Sequence, residues 1–207
     1  MAGVNTRRIA FAGVVAALYA ALTIGLSFIG YGPLQFRVAE ALCVLPFFFP
    51  FSVWGLFVGC IIANLVSPFP LDVVVGPLAT LLAAFCTMFI GKYCHGKFFG
   101  SKRGRGSPGR EGRERGSPGL EKTALKALAC LPPVLINAVF IGALIAYYMA
   151  GSGEADAFAS AFLLNAAQIA MGQAVVLYML GLPLMLYLPG TRIFGKLYEQ
   201  QIMSSKS

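Results

Sequence analysis

Three ionisable side chains stand in stretches that are otherwise almost uncharged: Arg37, Glu40 and Asp72. In apolar surroundings an ionised group is costly to hold, so each implies a partner or a ligand. Arg37 and Glu40 are three apart, and a helix starting near Val38 puts them within reach of each other as a self-satisfied pair. Alternatively, Glu40 offers its carboxylate oxygens to donors on a bound solute. Asp72 follows Pro70-Leu71 and precedes an apolar run, which suits a helix N-cap. Four amides, Asn64, Asn137, Gln168 and Gln173, lie within apolar segments. Each carries donors and acceptors that hydrocarbon cannot satisfy, so each has to meet another helix or a ligand. Several such amides converging with two carboxylates would make a polar pocket.

Chemistry beyond binding has little to rest on. The chain has no HExxH, no Walker A motif and no GxSxG. It is read as a non-enzyme that cannot hydrolyse ATP alone. The five cysteines, Cys43, Cys60, Cys86, Cys94 and Cys130, have no CxxC spacing, and the one histidine, His95, lacks a second ligand pair nearby. No metal site is expected; the cysteines read as small apolar fillers.

The elements that must position these residues follow from composition. Of 207 residues 58% are hydrophobic and 12% charged, with mean hydropathy +0.77. A soluble domain carries about 25% charged residues and about 45–50% apolar ones. The chain is therefore expected to be an all-α integral membrane protein, which excludes disorder, a disulfide scaffold and a soluble enzyme. The net charge of +8 follows topology and not nucleic acid: ten of the sixteen Lys and Arg lie between Lys92 and Lys126, and Arg7, Arg8, Arg192, Lys196 and Lys206 flank the ends.

A helix needs about 20 residues to cross about 30 Å of hydrocarbon. Residues 9–29, 73–91 and 127–150 each fit one crossing, and 9–29 is too long for a cleaved leader's apolar region, so it reads as a retained first helix. The stretch 157–191 exceeds one upright helix and implies a tilted or amphipathic portion. Residues 41–71 contain Pro46, Pro50, Pro68 and Pro70. Because the basic N-terminus and the basic loop at about 95–123 should share the cytoplasmic side, this region has to form two short helices, roughly 39–50 and 53–67. The expectation is one domain over 1–207 with six transmembrane helices and both termini cytoplasmic, in the plasma membrane of a prokaryote. Between the fourth and fifth helices, residues 102–119 repeat RGSPG and contain no apolar residue; they read as a solvated linker that can meet anionic lipid headgroups.

The first helix carries small residues four apart, Ala12, Ala16 and Ala20, beside a second row, Gly13, Ala17 and Ala21. Such faces admit close helix packing, within the chain or against a separate membrane subunit.

The segment YGPLQFRVAEAL at 31–42, continuing through LPFFFP and WGLFVGCIIANLVS, resembles the QueT family. So do Asp72 with GPLATLLAA, LPPVLINA at 131–138 and GQAVVLYMLGLPL at 172–184. The loop at 95–123 departs from the family pattern. The resemblance implies the substrate-binding S component of an energy-coupling factor (ECF) transporter, a six-helix bundle importing a queuosine precursor. Its implied partners are a transmembrane coupling subunit and two ATPases that use the ATP, with no cofactor of its own. Docking would then fall to Ala12, Ala16 and Ala20. A deazaguanine presents a ring N–H and an exocyclic amine on one edge, which Glu40 would accept through charge-assisted bonds. Arg37 would donate to the carbonyl edge or orient Glu40, and Asp72 would balance an aminomethyl cation. Asn64, Asn137, Gln173 and Gln35 would complete the pocket, with Phe36 or another aromatic stacking on the ring. The alternative is a solitary secondary transporter for another nucleobase-like or vitamin-like cation.

Overall fold

A computed structural model describes residues 6–27, 36–67, 69–99, 118–150, 155–191 and 194–195. The apolar runs become helices: α1 (Thr6–Gly25), a 3₁₀ helix (Val38–Phe47), α2 (Ser52–Asn64), α3 (Asp72–Phe99), α4 (Pro118–Ala129), α5 (Leu131–Ala150) and α6 (Ala155–Val176). A π turn at Leu177–Gly181 carries α6 on into α7 (Leu182–Tyr187) and a last 3₁₀ turn at Leu188–Gly190. Among the described residues there is no strand.

Among the described residues four segments are long and apolar enough to cross a membrane: Thr6–Gly25, Asp72–Tyr93, Thr123–Met149 and Phe158–Gly190. With the two shorter apolar helices, Val38–Phe47 and Ser52–Asn64, they make up the six expected. The stretch from Phe158 to Gly190 stays helical throughout, with the π turn inside it. The two short helices come from the expected division of 41–71, but the first winds as 3₁₀ and ends at Phe47. At about 2.0 Å per 3₁₀ residue and about 1.5 Å per α residue, each is about 20 Å long. The chain reverses between them near Pro50, where the Ser52 hydroxyl donates to the Phe49 carbonyl at 2.7 Å. The basic stretch 102–117 lies outside the described residues.

Polarity is distributed inside out. Val14, Leu18, Trp54, Val58, Phe89, Leu135 and Leu163 are exposed on the outer surface, whereas Glu40, Asn64, Asp72, Asn137 and Gln173 are buried. Water would penalise such an apolar surface and lipid does not. Inside, α1, the 3₁₀ helix, α2 and α3 share one apolar cluster around Val15, Leu56 and Ala84. The aromatic end of the 3₁₀ helix, Phe47 to Phe49, packs with Ala129, Val134, Leu177 and Met185. Ile141, Ile145 and Ile169 join α5 to α6.

The small-residue rows of α1 face different ways. Ala16 and Ala20 are buried, and α2 comes so close that a Cβ on Gly59 would lie 2.7 Å from the Ala16 carbonyl oxygen and 2.9 Å from the Tyr19 Cβ. A Cβ on Gly55 would strike the Ala12 carbonyl oxygen. The row Ala12, Ala16, Ala20, expected to dock a partner, is thus occupied by α2 of the same chain; Gly13, Ala17 and Ala21 are the exposed row. The two rows differ by one residue, about 100° around a helix of 3.6 residues per turn, and the matching glycines of α2 select between them. Gly59→Ala should force these helices apart and lower stability by about 1–3 kcal/mol, read as an earlier melting transition of the detergent-purified chain; an unchanged transition would show that the contact yields freely.

Candidate functional site

The 3₁₀ helix starts immediately after Arg37, and α3 starts at Asp72. Their juxtaposition gives the ion pair: Arg37 Nη2 donates to Asp72 Oδ2 at 2.8 Å, with both side chains buried. The Ser67 hydroxyl donates to the same oxygen at 3.0 Å, and Asn64 Nδ2 donates to the Asp72 backbone carbonyl at 2.9 Å. A Cβ on Gly76 would lie 2.9 Å from Asp72 Oδ1 and strike Asn64 Nδ2, so this approach of α2 to α3 requires glycine there. Asp72 therefore holds Arg37, a tertiary role that neither the helix-cap reading nor the role of ligand counter-charge anticipates. Asn64 supports Asp72 from behind.

Glu40, one turn into the 3₁₀ helix, is only 1% exposed. The Tyr19 hydroxyl donates to its Oε1 at 2.6 Å, and the Cys43 thiol donates to Oε2 at 3.0 Å. Behind them Cys60 Sγ accepts from Thr80 Oγ1 at 3.4 Å and from Asn64 Nδ2 at 3.6 Å. The first contact has the length of a charge-assisted O–H···O⁻ bond. A carboxylate oxygen has more than one acceptor direction, so Glu40 keeps capacity for further donors.

Across from Glu40, α5 and α6 supply Asn137 and Gln173. Arg37, Glu40, Asn137, Ile141, Ile169 and Gln173 line one cavity of about 10 Å³, room for about one water and not for a bicyclic ring. Asn137 and Gln173 are 5% and 3% exposed. Among the described residues neither side chain makes a hydrogen bond, and Gln173 Nε2 is a buried donor without an acceptor. Buried polar groups are almost always satisfied, so two facing amides without protein partners beside a carboxylate and a guanidinium mark a place for a polar molecule. Ile141 and Ile169 give that molecule apolar walls.

Four of the residues singled out by sequence, Arg37, Glu40, Asn137 and Gln173, thus come together around one space. Asp72 and Asn64 lie behind it. Phe36 is half-buried and not among the lining residues, so the flat walls are aliphatic. Gln35 lies outside the described residues, and Gln168 points outward. Tyr19 was missed; its signal was a hydroxyl in an apolar helix, the same criterion that drew attention to the amides. Ile141 and Ile169 carry no signal that separates them from lipid-facing neighbours. Among the described residues no group of His, Cys, Asp and Glu could hold a metal ion.

Fold and cavity together define a helical membrane protein with a charged, amide-lined space in its interior. The chain belongs to the QueT transporter family, whose sequence profile matches residues 9–189. A relative from Lactococcus lactis subsp. cremoris, named queuosine precursor transporter QueT, is 48% identical over 71 residues, covering 33% of this chain and 42% of that relative. No solved structure matches the chain.

Proposed function

We propose that this chain is the substrate-binding subunit of an ECF-type importer and captures a queuosine precursor, a 7-deazaguanine, in the cavity around Glu40. The observation that carries the reading is Gln173 Nε2, a buried donor without an acceptor, beside Asn137 on the wall of the cavity that Glu40 and Arg37 also line. Glu40 accepts the ring N–H and exocyclic amine, Arg37 and an amide donate to the carbonyl edge, and Ile141 and Ile169 cover the ring faces. Because the cavity is water-sized, entry of the ring displaces the helices that close it. Asp72, already joined to Arg37, serves as support.

The chain works in the plasma membrane with both termini cytoplasmic, as its basic ends suggest. Energy comes from two partner ATPases through a transmembrane coupling subunit, since this sequence has no phosphate-binding loop. Docking through α1 falls to its exposed row, Gly13, Ala17 and Ala21.

Equilibrium binding of queuine, the nitrile precursor and the aminomethyl precursor to the detergent-purified chain, without partners, tests the assignment. One of the three is expected to bind with a nanomolar to low-micromolar Kd, about −8 to −12 kcal/mol. A folded sample that binds none overturns it.

A further inference from the structure

The carboxylate at the centre of the cavity is held from behind by a residue on another helix. Tyr19 is 1% exposed on α1, and its hydroxyl reaches Glu40 Oε1 at 2.6 Å, across 21 positions of sequence. The Cys43 thiol, on the same element as Glu40, takes the other oxygen at 3.0 Å. Each oxygen thus receives one donor from the protein. Tyr19 is not among the residues that line the cavity. The tyrosine is fixed in turn: the Gly59 backbone comes so close that an added Cβ would lie 2.9 Å from the Tyr19 Cβ. The hydroxyl also lies 3.6 Å from Cys60 Sγ, but an O–H has one proton, and the shorter contact to the carboxylate claims it.

We propose that Tyr19 is a positioning residue for ligand recognition: it fixes the plane of the Glu40 carboxylate, so that the lone pairs left over meet the two donors on one edge of the ligand. The proposal rests on the reading that Glu40 binds the ligand. A carboxylate held by one donor on each oxygen is pre-organised and keeps a pair of acceptors at fixed spacing. With the Oε1 donor gone, Glu40 turns about its last torsion, which is broad and soft for a side chain of this type. The loss should then fall on ligands that use both carboxylate oxygens and spare those that use one.

The test compares Tyr19→Phe with the parent for two probes, whichever of the three precursors the parent binds and its analogue lacking the exocyclic amine. The parent should prefer the first. Tyr19→Phe should lose at least tenfold in affinity for the first and markedly less for the second, so that the preference shrinks. Added to Glu40→Gln it should cost little more, because both changes disable one acceptor pair. Equal losses for the two probes would reduce Tyr19 to a packing role and overturn the proposal, as would near-parental affinity. The ratio is measured on one preparation, so partial unfolding does not mimic the result. Should Tyr19→Phe fail to fold, Cys43→Ser and Cys43→Ala test the same device at Oε2: serine keeps a donor and the preference, alanine loses both, and identical behaviour of the two overturns it. A parent that binds none of the three precursors refutes the proposed function on which the role of Tyr19 rests. A parent that binds, with a Tyr19→Phe protein that discriminates equally well, refutes only the role of Tyr19.

Discussion

Asp72→Asn is expected to lower the melting temperature of the detergent-purified chain by about 6–20 °C, the shift that about 3–5 kcal/mol produces in a chain of this size. The substitution keeps the shape and removes the charge. Arg37 Nη2 now lies 2.8 Å from Asp72 Oδ2, and at 8% exposure it has little access to water once the carboxylate is gone. A buried pair as a whole is weak evidence for stability, since desolvating two ions roughly cancels their attraction; breaking it from one side is costly, because the remaining charge loses its counter-charge. The companion variant Arg37→Gln/Asp72→Asn, which removes both charges, should therefore recover most of the stability. Its ligand affinity should stay low, because Arg37 also lines the cavity. Two results would contradict this account: a single variant as stable as the parent, or a double variant as unstable as the single.

That pair also shows what the sequence could and could not disclose. The isolated charges at 37, 40 and 72 were conspicuous because nothing around them was polar, and hydrocarbon makes such residues legible from composition alone. Pairing was not legible. Spacing of three favoured Arg37 with Glu40, whereas the tertiary fold brings Asp72 to Arg37 across 35 positions and Tyr19 to Glu40 across 21. Local periodicity reports neighbours on one helix and carries nothing about which helices touch. The number of apolar segments followed from charge parity and length, but the winding of Val38–Phe47 did not: VAEALCVLPF contains Ala, Glu and Leu, which favour the α form, and runs of 3₁₀ longer than about four residues are uncommon. The α1 rows fail for a related reason. Both have the right residues, and the choice between them belongs to Gly55 and Gly59 on another helix. In the cavity, Asn137 and Gln173 stood out as amides in apolar runs, whereas Ile141 and Ile169 are indistinguishable by type from residues that face lipid.

Glu40→Gln tests the other half of the site and should weaken ligand binding by one to two orders of magnitude, about 1.5–3 kcal/mol for a hydrogen bond to a charged group. Two losses combine. Toward the ligand, the amide offers one acceptor and one donor where the carboxylate offers two acceptors, so one of the two ligand donors faces an N–H. Toward the protein, Tyr19 and Cys43 both donate to Glu40, and an amide can accept from only one of them without turning its own N–H onto the other. This second conflict exists without ligand, so a modest drop in the ligand-free melting temperature is also expected. Glu40→Asp separates the two effects. It keeps the charge and both acceptors but withdraws them by one methylene, away from Tyr19 on α1 and from the amides on α5 and α6 alike. Binding should then fall less than in Glu40→Gln if charge dominates, and at least as far if reach dominates. A Glu40→Gln protein that melts like the parent and binds as tightly would remove this carboxylate from the ligand's edge. The two amides and Arg37 would then have to supply recognition alone, with only the amide oxygens left to accept from the donor edge that a deazaguanine presents.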